Sequence, residues 1–371
     1  MIRQLRQVLL ISFSAFFADL GYQAAVSIFS IYLVYILHAP VYLYGLAEGL
    51  NYGLGSVFGY VGGKMADHYG AKLMSIVGNA LIPLMSFFFF TTNPVLVVVL
   101  FSLGWWMRNF RSPPRRALLS SVTTPEERQE AYGLLHALDI AGASIAVGYI
   151  TVSLLLKLDL KLIMLTTVAY LAISTALLGA VRGNLARVEG RKEPLQGRNR
   201  RLISGILIAT SLFGFSYFSF GYPILTVTEK FNAPYLGTLT YLIFLLVSST
   251  SGYVFGRVKR SEVLLLTSGY VVAALASLGF QLSSDLPSFL LSSSLMGIAV
   301  GMVETFEPSI VSKVYPREGE GMGLLAAFRS LGLFTGNLAM GILFSQGLAY
   351  WYAFLVSLAS VVVMVVAGRS K

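Results

Sequence analysis

Long apolar runs separated by short polar stretches occur along the whole chain. An α-helix needs about 20 predominantly apolar residues to cross the hydrocarbon core of a bilayer. Runs of that length predict an all-α membrane protein with twelve transmembrane helices, six in each half of the chain. The predicted spans are 6–37, 42–66, 72–91, 95–119, 130–156, 161–182, 201–228, 235–256, 262–282, 286–314, 321–346 and 349–367.

Short phrases from the first half recur in the same order in the second half. The pairs are Phe13 to Tyr22 with Phe213 to Tyr222, His38-Ala-Pro40 with Asn232-Ala-Pro234, Gly59-Tyr-Val-Gly-Gly-Lys64 with Gly252-Tyr-Val-Phe-Gly-Arg257, and Tyr132-Gly-Leu-Leu135 with Met322-Gly-Leu-Leu325. An internal repeat of this kind is typical of transporters built from two related halves. It predicts two pseudo-symmetric six-helix bundles, 1–182 and 201–371, which are joined by a charged cytoplasmic linker at 183–200.

Composition excludes a soluble globular protein. The 371 residues are 56% hydrophobic and only 12% charged, whereas about 25% charged residues are usual in soluble domains. Cysteine is absent and only three histidines are present, so no disulfide and no metal or cofactor site is expected. No nucleophile motif and no phosphate-binding glycine loop occurs, and this argues against an enzyme and against direct use of ATP.

The net charge of +10 is explained by membrane topology. Most Lys and Arg residues fall in the loops that lie on the same side as the N-terminus, as the positive-inside rule requires. We therefore expect a protein of the cytoplasmic membrane with both termini in the cytoplasm. Nucleic acid is not needed as a partner, and we expect the lipid bilayer and a small-molecule solute to be the partners of a monomer.

A polar segment between the second and third spans, 59–72, is predicted to form a loop at the membrane surface. Gly63 and Gly70 supply the backbone freedom for a helix-to-helix turn. Asp67 is an anion placed near helix ends, which carry partial positive charge, and Lys72 follows it. We interpret this segment as part of a cytoplasmic gate.

Charged side chains within the spans are the candidates for chemistry, because a charge at bilayer depth is costly and usually functional. Asp19 and Gln23 lie on a polar stripe of the first span, and Glu48 lies near the outer end of the second. The second span also carries two glycine runs at four-residue spacing, 45–53 and 55–63. Such runs predict close helix packing.

The fourth span carries Arg108 and Arg111 on one face, since residues three apart on a helix are neighbours. Pro113 and Pro114 follow and predict a bend. In the tenth span, Glu304 and Glu307 lie at a similar depth. The repeat also aligns two residues of opposite charge, which we assign to the gate. They are Asp139 and Arg329.

The segment from Gly63 to Lys72, together with 108–142, resembles the major facilitator superfamily, in particular a prokaryotic subgroup whose substrates are mostly unassigned. The resemblance covers nearly the whole chain. It implies two six-helix bundles, a central cavity lined by spans 1, 4, 7 and 10, and alternating access. His68, Ala71 and Leu73 depart from residues that are common in the signature loop.

From the residues themselves, we interpret the chain as a secondary active transporter that is coupled to protons through Asp19, Glu304 and Glu307. Export of an amphipathic organic solute is the first hypothesis. Uptake of an anionic metabolite that is gripped by Arg108 and Arg111 is the second. A membrane-embedded enzyme or sensor is a remote alternative, and a purely structural role for the charge pairs also stays open.

Overall fold

The computed structural model describes residues 4–124, 128–182, 197–216, 220–258, 260–314 and 318–368. Within these ranges, the side chains of Asp67, 128–130, 132–133, 197–199, 215–216, 312–314 and 318–322 are not described. Most of the predicted linker, 183–200, lies outside the described residues.

The described residues are helical almost throughout. The helices are α1 (Leu5–Ser30), α2 (Val41–Tyr69), α3 (Ala71–Leu81), α4 (Pro94–Ser121), α5 (Arg128–Leu155), α6 (Leu160–Ala180), α7 (Gly197–Ser216), α8 (Gly221–Phe231), α9 (Pro234–Phe255), α10 (Glu262–Leu282), α11 (Leu286–Val314), α12 (Glu318–Phe344) and α13 (Ala349–Gly368). A π-helical turn, Ile31–Ile36, extends α1, and a 3₁₀ segment, Ile82–Phe90, extends α3.

Several helix boundaries have a local chemical cause. The side chain of Asn93 caps α4 by accepting hydrogen bonds from the backbone N–H groups of Val95 and Leu96. Asp159 caps α6 in the same way. Each cap satisfies N–H groups that a helix start leaves unpaired. The 3₁₀ segment follows from Pro83, which removes a backbone donor from the end of α3.

Nine helical segments of the described residues are long and apolar enough to cross a membrane. They are Leu5–Ile36, Ala71–Phe90, Leu134–Leu155, Leu160–Ala180, Pro234–Phe255, Glu262–Leu282, Leu286–Val311, Gly323–Phe344 and Ala349–Gly368. The predicted span 201–228 overlaps α7 and α8, and 217–219 between them lie outside the described residues. The other two predicted spans coincide with α2 and α4, which carry many glycines and four arginines respectively.

The prediction of a loop at 59–72 was wrong for most of its length. The structure continues α2 to Tyr69, so Gly63 is helical and only Gly70 leaves the helical conformation. Gly70 has φ +94°, a conformation that side chains other than glycine rarely adopt. Its N–H bonds to the carbonyl of Ala66, and its carbonyl accepts from Met74. One residue therefore makes the whole turn from α2 to α3.

The chain divides into two compact units. Unit 1 comprises Met1–Ala39, Leu54–Val188 and Phe231–Leu239, and unit 2 comprises Pro40–Gly53, Glu189–Lys230 and Thr240–Lys371. The first part of α2 thus belongs to unit 2, and the first part of α9 belongs to unit 1. Both segments follow the repeated Ala-Pro phrase, and the residues before it, His38 and Asn232, have positive φ angles of 55° and 49°.

The two glycine runs of α2 pack on different helices, which confirms the prediction of close packing. A Cβ atom at Gly45 would lie 2.6 Å from the carbonyl oxygen of Asn337 on α12. A Cβ atom at Gly55 would lie 2.7 Å from the side-chain nitrogen of Asn109 on α4. The first run therefore belongs to the core of unit 2, and the second to the core of unit 1.

Helix α4 continues through Pro113 and Pro114 without a break. A proline cannot donate to the carbonyl four residues before it, so these prolines free the carbonyls of Asn109 and Phe110. Both carbonyls face α2. The Asn109 oxygen lies 3.6 Å from the Cβ position of Gly59, and the Phe110 oxygen is closer still to that of Gly62. The glycines leave room for carbonyls that have lost their helical donors.

Candidate functional site

The crossing of α1 and α5 in unit 1 brings two acidic residues together. A Cβ atom at Gly142 would be 3.2 Å from the backbone nitrogen of Leu20 and would collide with the carbonyl of Phe16. Only glycine permits so close an approach. Asp19 immediately precedes Leu20 and Asp139 lies one turn before Gly142, so this crossing brings the two carboxyl groups near each other.

Asp19 is buried and accepts a hydrogen bond from the hydroxyl of Tyr22, one turn further along α1. The same hydroxyl accepts a hydrogen bond of 3.3 Å from Nε of Arg108 on α4. The Arg108 guanidinium also lies 5.1 Å from the ring centroid of Trp105. A tyrosine hydroxyl therefore connects the Asp19 carboxyl group to the Arg108 guanidinium, which also packs on an indole ring.

Arg111 is almost completely buried, with 1% of its surface exposed. Its Nη1 donates a hydrogen bond of 2.6 Å to the side-chain oxygen of Asn79 on α3, and its Nε has no hydrogen-bond partner. The amide nitrogen of Asn79 donates to Ser174 and Thr175 on α6 at 3.0 and 2.8 Å. The guanidinium is thus held by a neutral amide rather than by a carboxylate.

Arg115, one turn beyond Arg111, forms an ion pair with Asp139. The two hydrogen bonds, of 3.4 and 3.1 Å, join both terminal nitrogens to both carboxylate oxygens. Three arginines of α4 therefore surround two aspartates of α1 and α5. Asp139, assigned from the sequence to the gate, lies in this cluster, which we call the unit 1 cluster: Asp19, Tyr22, Asn79, Arg108, Arg111, Arg115 and Asp139.

The remaining predicted residues of unit 1 lie in different places. Gln23 follows Tyr22 on α1 and is half-buried. A Cβ atom at Gly63 would lie 3.5 Å from the side chain of Pro113, and Lys72 is half-buried in the first turn of α3. The backbone of Asp67 lies in α2, but its side chain is outside the described part of the chain.

A second cluster of charges lies in unit 2, at the contact of α11 with α12. Glu307 is completely buried and accepts hydrogen bonds from three donors. Tyr270 donates to Oε1, while Thr210, at 2.7 Å, and the Arg329 guanidinium donate to Oε2. Charge-assisted bonds of this kind are the strong ones. The Glu307 carboxylate therefore has a full set of partners.

Arg329 also pairs with Glu304, one turn before Glu307 on α11. Its Nη1 lies 2.5 Å from Oε1 of Glu304, and 54% of the surface of that glutamate side chain is exposed. Arg329, predicted as a gate residue, thus joins both predicted glutamates. We call Thr210, Tyr270, Glu304, Glu307 and Arg329 the unit 2 cluster.

Glu48 lies elsewhere in unit 2. It is 5% exposed and near Tyr222, whose hydroxyl donates a 2.8 Å hydrogen bond to the backbone oxygen of Asn337. Tyr44 packs on Tyr222 edge to face with ring centroids 4.9 Å apart. This predicted site residue therefore lies near Tyr222, where α2 contacts α8 and α12.

Sequence reasoning missed three residues that hold the clusters together. Asn79, Thr210 and Tyr270 each bond directly to a predicted charge. Asn79 carried a usable signal, since it is the only amide side chain in the apolar span 72–91. Among the described residues, no group of three His, Cys, Asp or Glu side chains is arranged to hold a metal ion.

Known proteins resemble this chain in sequence and in fold. Multidrug resistance protein MdtH of Photorhabdus laumondii subsp. laumondii is 27% identical over 285 residues, which cover 76% of this chain and 68% of that protein. A peptide transporter POT has a TM-score of 0.77 at 13% identity, covering 97% of this chain and 93% of its own. The human organic anion transporter MFSD10 (TETRAN) has a TM-score of 0.72 at 12% identity, covering 99% and 100%.

The nucleoside transporter NupG is similar to the same extent, with a TM-score of 0.74 at 14% identity over 97% of this chain and 98% of that chain. At these identities the solved structures establish the fold only. The family model of the Major Facilitator Superfamily matches residues 11–318, most of the chain. This integral membrane protein is therefore a transporter rather than an enzyme, and it belongs to the Major Facilitator Superfamily.

Proposed function

We propose that this protein exports a small amphipathic organic solute in exchange for protons by alternating access. The twelve-span topology, the two-bundle arrangement, the cytoplasmic termini and the location in the cytoplasmic membrane are parts of this proposal. The similarity to a multidrug resistance protein supports export. One observation carries the proton coupling: buried Asp19 shares a hydroxyl, that of Tyr22, with Arg108.

Asp19 is the proton site in this proposal. Burial of a carboxyl group favours its protonated form, whereas nearby arginines favour the ionised form. The two influences oppose each other at Asp19, and Tyr22 can hydrogen-bond to Asp19 in either its protonated or its ionised form, because a hydroxyl both donates and accepts. A change in the position of Arg108, when solute enters, then changes the affinity of Asp19 for its proton.

The other predicted residues have secondary roles in the proposal. Gln23 and Arg108 contact the solute, since both are only half-buried. Arg111 is a fixed charge because Asn79 holds it. Glu304 and Glu48 remain candidates for solute binding, and Glu307 stabilises unit 2. Gly63, Asp67, Gly70 and Lys72 form the gate segment, while Asp139 and Arg329 link the gate helices to the clusters.

Uptake of an anionic metabolite is the second candidate. It is favoured by the excess of arginines in the unit 1 cluster and by the unpaired Nε of Arg111. In this alternative, Arg108 would bind the carboxylate or phosphate of the solute. Protection of cells from toxic compounds would favour export, and rescue of a strain that lacks an uptake system for an organic anion would favour uptake.

Transport into proteoliposomes tests the proposal. Flux of a panel of radiolabelled amphipathic compounds is measured with and without a pH gradient, for the natural protein and for Asp19→Asn. We expect the gradient to drive transport in the natural protein and to have no effect in the variant. Asp285→Asn is the matched control, because asparagine still caps α11 where Asp285 accepts from the N–H of Ser288. Gradient-driven flux in Asp19→Asn would contradict the proposal.

A further inference from the structure

An apolar groove runs along the outside of unit 1, between α1 and α6. Its cavity volume is about 410 Å³. The wall consists of Leu5, Leu9, Phe13 and Phe17 on α1 and Leu177 on α6, with Arg6 at one end. The opposite face of α1 is the packed one, since Val8, Ile11 and Ala15 are completely buried. The groove is therefore a lipid-facing surface and not a gap in the core.

The length of the groove matches one leaflet of a membrane. Residues 5 and 17 are three turns apart, which at 1.5 Å per residue gives about 18 Å. Half of a hydrocarbon core about 30 Å thick is about 15 Å. A single acyl chain that lies along α1 would fill the groove from the membrane surface towards the middle of the bilayer.

One end of the groove is basic. Arg6 is exposed there, and the backbone N–H of Arg182, which follows α6, donates a 2.7 Å hydrogen bond to the side-chain oxygen of Gln7. This bond brings a second exposed arginine to the start of α1. Neither 4–18 nor 160–182 contains an acidic residue, so the two cations have no carboxylate partner on either helix. Two arginines beside an apolar groove fit a phosphate headgroup with an attached chain.

We propose that this groove is a binding site for one anionic phospholipid. Arg6 and Arg182 bind the phosphate-containing headgroup, and the leucines and phenylalanines of α1 hold one acyl chain along the helix. A neutral zwitterionic lipid would occupy the groove more weakly, because it offers the same chain without the net charge. This site is independent of the transport reaction and of the direction of transport.

Native mass spectrometry of the detergent-purified protein tests the proposal by counting bound lipids. Phosphatidylglycerol and phosphatidylcholine with identical acyl chains are titrated separately. We expect tighter binding of phosphatidylglycerol. The double variant Arg6→Gln, Arg182→Gln should bind it roughly 30-fold more weakly, at about fivefold for each cation. Its affinity for phosphatidylcholine should not change.

A matched double variant, Arg257→Gln with Arg260→Gln, removes the same charge from exposed positions of unit 2. It should bind phosphatidylglycerol like the natural protein, and an equal loss there would overturn the site. Leu177→Trp fills the groove without a change of charge and should weaken both lipids. Equal affinity for the two lipids, or full competition by glycerol phosphate, which has no acyl chain, would also contradict the proposal.

Discussion

The two charged clusters occupy related helix pairs in the two halves of the chain, but their charges are reversed. In unit 1, Arg115 of α4 pairs with Asp139 of α5, and in unit 2, Glu304 and Glu307 of α11 pair with Arg329 of α12. The internal repeat aligns Asp139 with Arg329. An ion pair between consecutive helices is therefore present in both units. The cation lies on the first helix of the pair in unit 1 and on the second helix in unit 2.

The clusters also differ in how completely their buried charged side chains are hydrogen-bonded. Glu307 accepts from three donors, so the unit 2 cluster has a full set of bonds around its buried charge. In the unit 1 cluster, buried Arg111 has a neutral partner and its Nε has none. A buried polar group without a partner is costly. In the proposed mechanism, unit 2 uses its charges for stability, whereas unit 1 keeps an incompletely hydrogen-bonded arrangement for function.

The largest expected effect is on the stability of unit 2. Arg329→Leu removes the cation of fully buried Glu307 and should lower the free energy of unfolding by about 3–5 kcal/mol, because it leaves a buried charge without its partner. Thermal unfolding in detergent measures the loss. Arg115→Leu should cost less, because the side chain of Asp139 is 25% exposed.

Replacement of both partners provides the control for that experiment. Arg329→Leu combined with Glu307→Met removes the buried charge as well as its partner and should recover most of the lost stability. If the double variant were as unstable as the single one, the loss would come from packing around α12. The contrast between a cluster whose buried charge is fully hydrogen-bonded and one whose buried charge is not would then lose its support in unit 2.

A smaller effect is expected at Asn79 in unit 1. Asn79→Leu removes the hydrogen-bond partner of the Arg111 Nη1 and should lower the free energy of unfolding by roughly 1.5–3 kcal/mol, as for bonds to charged groups. Thermal unfolding again measures it. Thr210→Val, which removes one neutral hydrogen-bond donor from the buried charge of Glu307 in unit 2, is the comparison. An unchanged stability for Asn79→Leu would show that Arg111 is not held by this amide.

The packing of α2 on α4 gives the smallest effect of this series. Gly62→Ala places a Cβ atom against the carbonyl of Phe110 and should cost about 1–3 kcal/mol. Because Arg108 and Arg111 flank Phe110, transport should fall as well. Gly179→Ala on α6 is the matched control, since no atom lies within 4 Å of its Cβ position. A loss at Gly179 as large as that at Gly62 would contradict this account.

Much of the fold could be predicted from the sequence because the local pattern of apolar residues indicates each helix. The two glycine runs of α2 predicted close packing, and both pack closely. The polar segment 59–72 was misinterpreted because polarity at a membrane surface does not end a helix. Only Gly70 breaks α2 there, and its neighbours in the same segment remain helical.

The candidate site could be predicted only in part. A charge within an apolar span is visible in the sequence, so Asp19, Arg108 and Arg111 were found. Their partners depend on which helices touch and on rotamers, and neither is encoded locally. Glu304 was assigned to proton coupling from the sequence, but its ion pair with Arg329 was not predicted. Asn79 and Thr210 are neutral, and so the search for charges passed over them.

The most direct test of this comparison needs no knowledge of the solute. Proteoliposomes on a solid-supported membrane are exposed to a sudden change of pH, and the charge displaced by proton binding is recorded. We expect a displacement in the natural protein and in Glu307→Gln, and none in Asp19→Asn. A displacement that survives Asp19→Asn, or one that is lost in Glu307→Gln, would contradict the division of work between the two clusters.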